Sequence, residues 1–295
     1  MTGSWTPEDA SRVLRRPTTT DDKYSRGVLG VRTGSSAYPG AAVLGVEAAW
    51  RTGLGMVRYL GPERPTGLVL ARRPETVTVA GRVQAWLIGS GTDADERSDA
   101  ETSALRSVLS GPHPVVVDAG ALDLAVGAPA PRILTPHARE HARLRAALDL
   151  DDSDPRSEEE RVAAARQTAA ALGATVLLKG AATLVARPDG WTVRVQTGTP
   201  WLATAGTGDV LGGVIGALVA AAAAGRGDGA DAVAAGRGAG ADAVDLGAIA
   251  ATGAWLHGRA ATLAAARIGA RGGPITALDV AEALPRAVAE VLSPG

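Results

Sequence analysis

The sequence predicts a three-layer α/β/α sandwich built on a mostly parallel sheet. Three observations carry that prediction. Short, continuous apolar runs recur along the chain, as expected for strands covered on both faces. Segments with helical spacing of apolar residues fall between them. Most of the runs also exit into polar or glycine-rich motifs, and open parallel sheets place their ligands beyond the carboxyl ends of strands. Such alternation puts helices on both faces of one sheet.

Taken in order, the first helix signal is Thr6-Pro7-Glu8. Residues 39 to 52 place Ala42, Val43, Val46, Ala49 and Trp50 at helical spacing. Strands are predicted at 56–60, 85–88, 115–118, 132–135 and 176–179. A helix over 157–172 opens on Ser157 and three glutamates, with Glu160 at the capping-box offset. Residues 183 to 196 read as a hairpin turning at Pro188-Asp189-Gly190. Helices near 209–224, 248–266 and 278–292 close the chain. Residues 1–20 read as an N-terminal extension, 151–159 as a loop, and the Gly-rich 225–246 stretch as a surface insertion. One domain over 1–295 is the expected organisation.

Composition narrows the function. Apolar residues make up 46% of the 295 residues and charged residues 21%, which fits a packed globular chain. A net charge of −1 leaves no basic footprint for nucleic acid or an anionic membrane. Without cysteine there is no disulfide, thiolate metal site or thiol nucleophile, which is compatible with a cytoplasmic location. The N-terminus lacks the apolar stretch of a signal peptide. The longest apolar segment, "VLGGVIGALVAAAAAG", is too short and too rich in Gly and Ala to span a bilayer.

Only two lysines, 23 and 179, stand among 30 Lys plus Arg. Lys is a compact point charge where Arg is a wide fork, so Lys179 at a strand end before Gly-Ala-Ala-Thr suggests contact with a phosphate. The second candidate is Gly206-Thr207-Gly208-Asp209, a glycine-rich turn running into a helix. Free backbone N–H groups at a helix N-terminus make an anion site. An aspartate there suits a general base for a hydroxyl attacking a phosphate, although a capped turn would use the same residues. The P-loop pattern is missing, and "GSGTDADE" is not a dinucleotide fingerprint.

In combination, "KYSRGVLGV", "GSSAYPGAAVLG", "GLGMV", "TPHARE", "KGAAT" and "TPWLATAGTGDVLGG", in this order, resemble the ADP-dependent NAD(P)H-hydrate dehydratases of the ribokinase-like superfamily. The resemblance runs from about Lys23 to the helix near 255 and matches the standalone form, without an epimerase domain. It implies repair of the S epimer of hydrated NADH or NADPH. The ring hydroxyl would take the terminal phosphate of ADP (or ATP), and elimination of phosphate would restore the dihydronicotinamide.

By the resemblance, Asp209 is the catalytic base and also contacts the substrate. Lys179, Gly180, Ala181, Ala182 and Thr183 bind the nucleotide together with Gly206, Thr207 and Gly208. Ala41, Gly91 and His137 contact the hydrated cofactor. Glu140 is expected to hold Mg²⁺ through water, although a first-turn helix glutamate would sit there too, and His137 would also serve as an N-cap or core histidine. Arg139 and Thr199 depart from the family pattern, which often has glycine and asparagine there. The resemblance further implies a homotetramer served by a separate epimerase. Two alternatives stay open: an ATP-dependent kinase of a small alcohol of hydroxymethylpyrimidine or hydroxyethylthiazole type, and a nucleotide-binding module without catalysis.

Overall fold

The computed structural model describes residues 3–151, 154–225 and 244–293. The first half runs β1 (Gly3–Ser4), α1 (Pro7–Val13), β2 (Val28–Arg32), α2 (Gly40–Thr52), β3 (Met56–Tyr59), α3 (Glu63–Arg72), β4 (Ala85–Ile88), α4 (Asp99–Leu109), β5 (Val115–Val117) and a 3-10 helix (Ala119–Ala125). It continues through β6 (Arg132–Leu134), α5 (Ala138–Ala147), α6 (Glu158–Leu172), β7 (Thr175–Leu178), β8 (Thr183–Ala186) and β9 (Thr192–Val195). After a short 3-10 turn (Pro200–Leu202) come α7 (Thr207–Ala224), α8 (Leu246–Ala266) and α9 (Ala277–Leu292).

The strands form one sheet in the order β1-β9-β8-β7-β6-β5-β4-β2-β3. β8 is antiparallel to both of its neighbours, and every other pairing is parallel. Successive strand residues face opposite ways, so each strand feeds two cores. Val116, Ile133 and Leu177 join α2, α7, α8 and α9 on one side. Val115, Val117, Leu134 and Val176 join α4, α5 and α6 on the other. This is the predicted three-layer sandwich.

The connection from β2 goes to β3 on one side, and the next strand, β4, lies on the other. The carboxyl ends of β2 and β4 therefore flank a topological switch point, where α/β sheets open a crevice. α7 reaches this crevice because its inner face is small. A Cβ built at Gly213 would stand 2.2 Å from the Gly45 carbonyl oxygen of α2 and 2.9 Å from Ala48 Cβ. Only glycine permits that approach. By length and composition α7 could cross a membrane, yet Val210 to Ala220 are buried against α2 and the sheet, as in a core helix.

The sequence reading is corrected at several elements. β2, between β4 and the edge strand β3, has no strand assignment from sequence, because Gly30 interrupts its apolar run. Trp86 explains the glycine: a Cβ at position 30 would stand 2.5 Å from its ring. The helices α3 and α4 also carry no assignment; α3 contains Pro65 and Gly67. Ser157 caps α6 as expected, accepting from Glu160 N at 3.2 Å. Glu160, however, accepts from Arg156 N rather than closing a box on Ser157. Residues 3–13 of the N-terminal stretch are built into the sheet and its helix layer: Trp5 Nε1 donates to Thr252 Oγ1 at 3.2 Å and packs edge-on against Trp191. Of the predicted 225–246 insertion, residues 226–243 lie outside the described residues, while Leu246 already belongs to α8.

Gly213→Ala should destabilise the protein by at least about 1–3 kcal/mol, the range for overpacking, because the added methyl meets backbone. Chemical denaturation of the two proteins checks this.

Candidate active site

The carboxyl ends of β4 to β7 converge on Asp118, the residue after β5. Its side chain is 3% exposed. Ser90 Oγ donates to its Oδ2 at 3.0 Å from the loop after β4. Thr135 Oγ1 donates to Oδ1 at 2.7 Å from the end of β6. Lys179 Nζ, from the end of β7, lies 2.9 Å from the same oxygen. The sequence places Asp118 at the end of the predicted strand 115–118 but gives it no role. The available signal was an acid closing the buried run Val115–Val117.

The candidate phosphate lysine is therefore also the counter-ion of a buried carboxylate. Burial works against its charge, but Asp118 and, more weakly, Glu140 outweigh burial and raise its pKa. Lys179 Nζ is 3.7 Å from Glu140 Oε2 and 3.8 Å from where a Cβ on Gly208 would stand. Gly180 and Ala181 are exposed, Thr183 is half-buried, and Ala182 is buried.

The glycine turn closes the site from above. Gly206, with φ of 87°, is the N-cap of α7, and no side chain caps the helix. Asp209 is the third residue of the helix, not its cap, so the capped-turn alternative does not describe it. Thr207 Oγ1 instead braces the turn, donating to Leu202 O at 3.0 Å and Thr204 O at 2.9 Å. The N–H groups of Gly208 and Asp209 thus lie at the positive end of an uncapped helix. Asp209 is pushed up to about 7, first by burial and then by the charge of Asp118, with Lys179 opposing. A carboxyl poised near neutrality can take a proton in the physiological range.

Of the residues expected to face the hydrated cofactor, Ala41 and Gly91 meet at the switch point, whereas His137 follows β6, two strands away from β4. Gly91 has φ of 66°, and a Cβ there would stand 2.3 Å from Ala41 Cβ. Ala41 lies in the first turn of α2, and the α2 backbone at Gly45 runs beside Asp209 O. His137 is the exposed N-cap of α5: Nδ1 accepts from Arg139 N at 3.1 Å and Glu140 N at 3.3 Å. Glu140 Oε2 completes the box by accepting from His137 N at 2.8 Å. Both residues thus serve as helix caps, with Glu140 also turned toward Lys179. Arg139 points to solvent, and Thr199 caps the short 3-10 turn.

Among the described residues no group of three or more His, Cys, Asp or Glu could hold a metal ion.

The fold class is ribokinase-like, as in its solved structural neighbours. Residues 29–286 match the family model described as NAD(P)H-hydrate dehydratase, and the chain belongs to that family. The bifunctional NAD(P)H-hydrate repair enzyme Nnr of Mycobacterium tuberculosis is 50% identical over 212 residues, covering 68% of this chain and 42% of the relative. The chain therefore spans less than half the length of such relatives. The ADP-dependent (S)-NAD(P)H-hydrate dehydratase of Neisseria meningitidis is 36% identical, covering 81% of this chain and 77% of its own length. The crystal structure of the ADP/ATP-dependent NAD(P)H-hydrate dehydratase of Bacillus subtilis, co-crystallised with ATP/Mg²⁺, superposes with a TM-score of 0.78 at 26% identity. It covers 98% of this chain and 99% of that one.

The raised Asp209 has a stability signature. Between an ordinary value of 3.8 and about 7 the folded protein keeps a proton that the unfolded chain releases, so stability falls as pH rises across that window and then levels. Asp209→Asn does not titrate. It should match the wild type near pH 4 and exceed it by about 4 kcal/mol at pH 8, measured by urea unfolding at both pH values.

Proposed function

We propose that the protein dehydrates the S epimer of hydrated NADH and NADPH back to the reduced cofactor, at the expense of a nucleoside diphosphate or triphosphate, with ADP as the first donor to test. Family membership and the names of the relatives support the substrate and the donor. The observation that carries the reading is the juxtaposition of Asp209, the uncapped α7 N-terminus and Lys179.

The hydrated nicotinamide ring lies in the switch-point crevice against the Ala41 and Gly91 backbone, with its hydroxyl toward Asp209. The nucleotide lies over Lys179 to Thr183, with its terminal phosphate at the Gly206–Gly208 turn. Asp209 accepts the hydroxyl proton as the oxygen attacks phosphorus. The backbone N–H groups and Lys179 stabilise the charge on the transferring group. That attack breaks the terminal P–O bond and releases AMP from ADP (or ADP from ATP). The phosphate of the ester so formed is a far better leaving group than hydroxide, and its loss as inorganic phosphate together with a proton from the neighbouring ring carbon regenerates the dihydropyridine. Mg²⁺, held by the phosphates and by Glu140 through water, would neutralise phosphate charge. The wider span of the bifunctional relatives supports a separate epimerase activity working beside this one.

Hydrated NADH, Mg²⁺ and either ADP or ATP should give a nucleotide-dependent rise in near-ultraviolet absorbance. Asp209→Asn should lower kcat by about 10²–10⁴-fold, the worth of a positioned base. Because the base acts deprotonated, kcat/KM should climb with pH to a plateau, with a midpoint at about 7. A protein that binds nucleotide but gives no rise would contradict the reading. A stable phosphate ester on a small alcohol would instead indicate a kinase.

A further inference from the structure

The nucleotide segment is held from behind by Arg161, a residue of α6 that no sequence motif singles out. Its Nη1 donates to Ala182 O at 2.8 Å. Its Nη2 donates to Leu178 O at 3.3 Å and reaches Lys179 O at 3.5 Å. Glu158, one turn earlier on α6, stands 3.5 Å from Nη1. The planar guanidinium thus faces several carbonyls of one short loop at once, which a lysine ammonium on its flexible stem cannot do in fixed geometry.

This contact fixes the opposite face of the loop. In a trans peptide the C=O of one residue and the N–H of the next point to opposite sides. With the Lys179 and Ala182 carbonyls turned to Arg161, the Gly180 and Thr183 N–H groups point away from it. The Leu178 carbonyl is coupled in the same way to Lys179 N, which donates to Pro136 O at 2.8 Å. The same geometry accounts for Gly180: a Cβ there would stand 2.5 Å from Arg161 Nη2.

We propose that Arg161 is a positioning residue for nucleotide binding: it grips the Leu178, Lys179 and Ala182 carbonyls so that Lys179 and the loop N–H groups stay presented to a nucleoside diphosphate. The proposal rests on the nucleotide-dependent reading above and adds a residue that touches neither substrate. Its guanidinium acts through the loop backbone.

The test uses the full chain with ADP alone, titrated by calorimetry, followed by steady-state repair kinetics. Arg161→Gln should weaken ADP binding about 10-fold and raise the nucleotide KM in step, while the KM for hydrated NADH stays within about 2-fold. Arg161→Lys should recover part of the loss. Gly180→Ala leaves the arginine in place but displaces its flexible end, and should reproduce the nucleotide defect with little loss of thermal stability. ADP binding unchanged in both Arg161→Gln and Gly180→Ala would overturn the proposal, whatever their stability. A wild-type protein that binds neither ADP nor ATP would overturn the nucleotide-dependent reading and this proposal with it. A wild type that binds, alongside variants that bind equally well, would overturn this proposal alone.

Discussion

Asp118 is a carboxylate where no carboxylate is stable alone. Nearly enclosed after β5, it is held by Ser90, Thr135 and Lys179, which reach it from the ends of β4, β6 and β7. Breaking a buried pair of this kind leaves an uncompensated charge, typically a cost of about 3–5 kcal/mol. The carboxyl ends of four strands are thus tied to one group. Lys179 is held at the mouth of the crevice, and the negative charge of Asp118 adds to the burial that keeps Asp209 from ionising early.

The rest of the site follows from how closely helices approach the sheet. Gly213 against Gly45 lets α7 run beside α2, which carries the glycine turn down to the strand ends. The helix then offers uncapped N–H groups where a phosphate would sit, with its own third residue as the acid. Charge of both signs is concentrated there: a lysine shared among carboxylates, a helix N-terminus and a half-protonated aspartate. That is the arrangement expected where a proton leaves a hydroxyl while a phosphoryl group arrives. The same grouping opposes folding, since the raised Asp209 gives up stability as pH increases.

Much of this was legible in the sequence where a residue broke the chain's own composition or backbone rules. Lys179 stands out against an arginine-rich background. The Gly206–Asp209 turn stands out because two glycines flank a threonine at a helix start. The continuous apolar runs of β4 to β7 mark a parallel sheet. What stayed hidden depended on partners distant in sequence. Gly30 looks like a strand breaker until Trp86 covers it. Asp118 reads as the last residue of a predicted strand until three other strand ends supply its hydrogen bonds. Arg161 is one arginine among many until the loop folds onto it. His137 as an N-cap and Glu140 as a first-turn glutamate were readings the sequence offered, and the structure joins the two in one capping box.

The most direct test of this account is the titration of the Asp209 carboxyl, followed by carbon-13 NMR in the free protein, with Asp209→Asn used to assign the resonance. A midpoint at about 7 is expected if burial and the Asp118 charge set its proton affinity as the geometry implies. A midpoint near the ordinary aspartate value, about 4, would show an open, already ionised carboxylate and would contradict the account of how this site obtains its base.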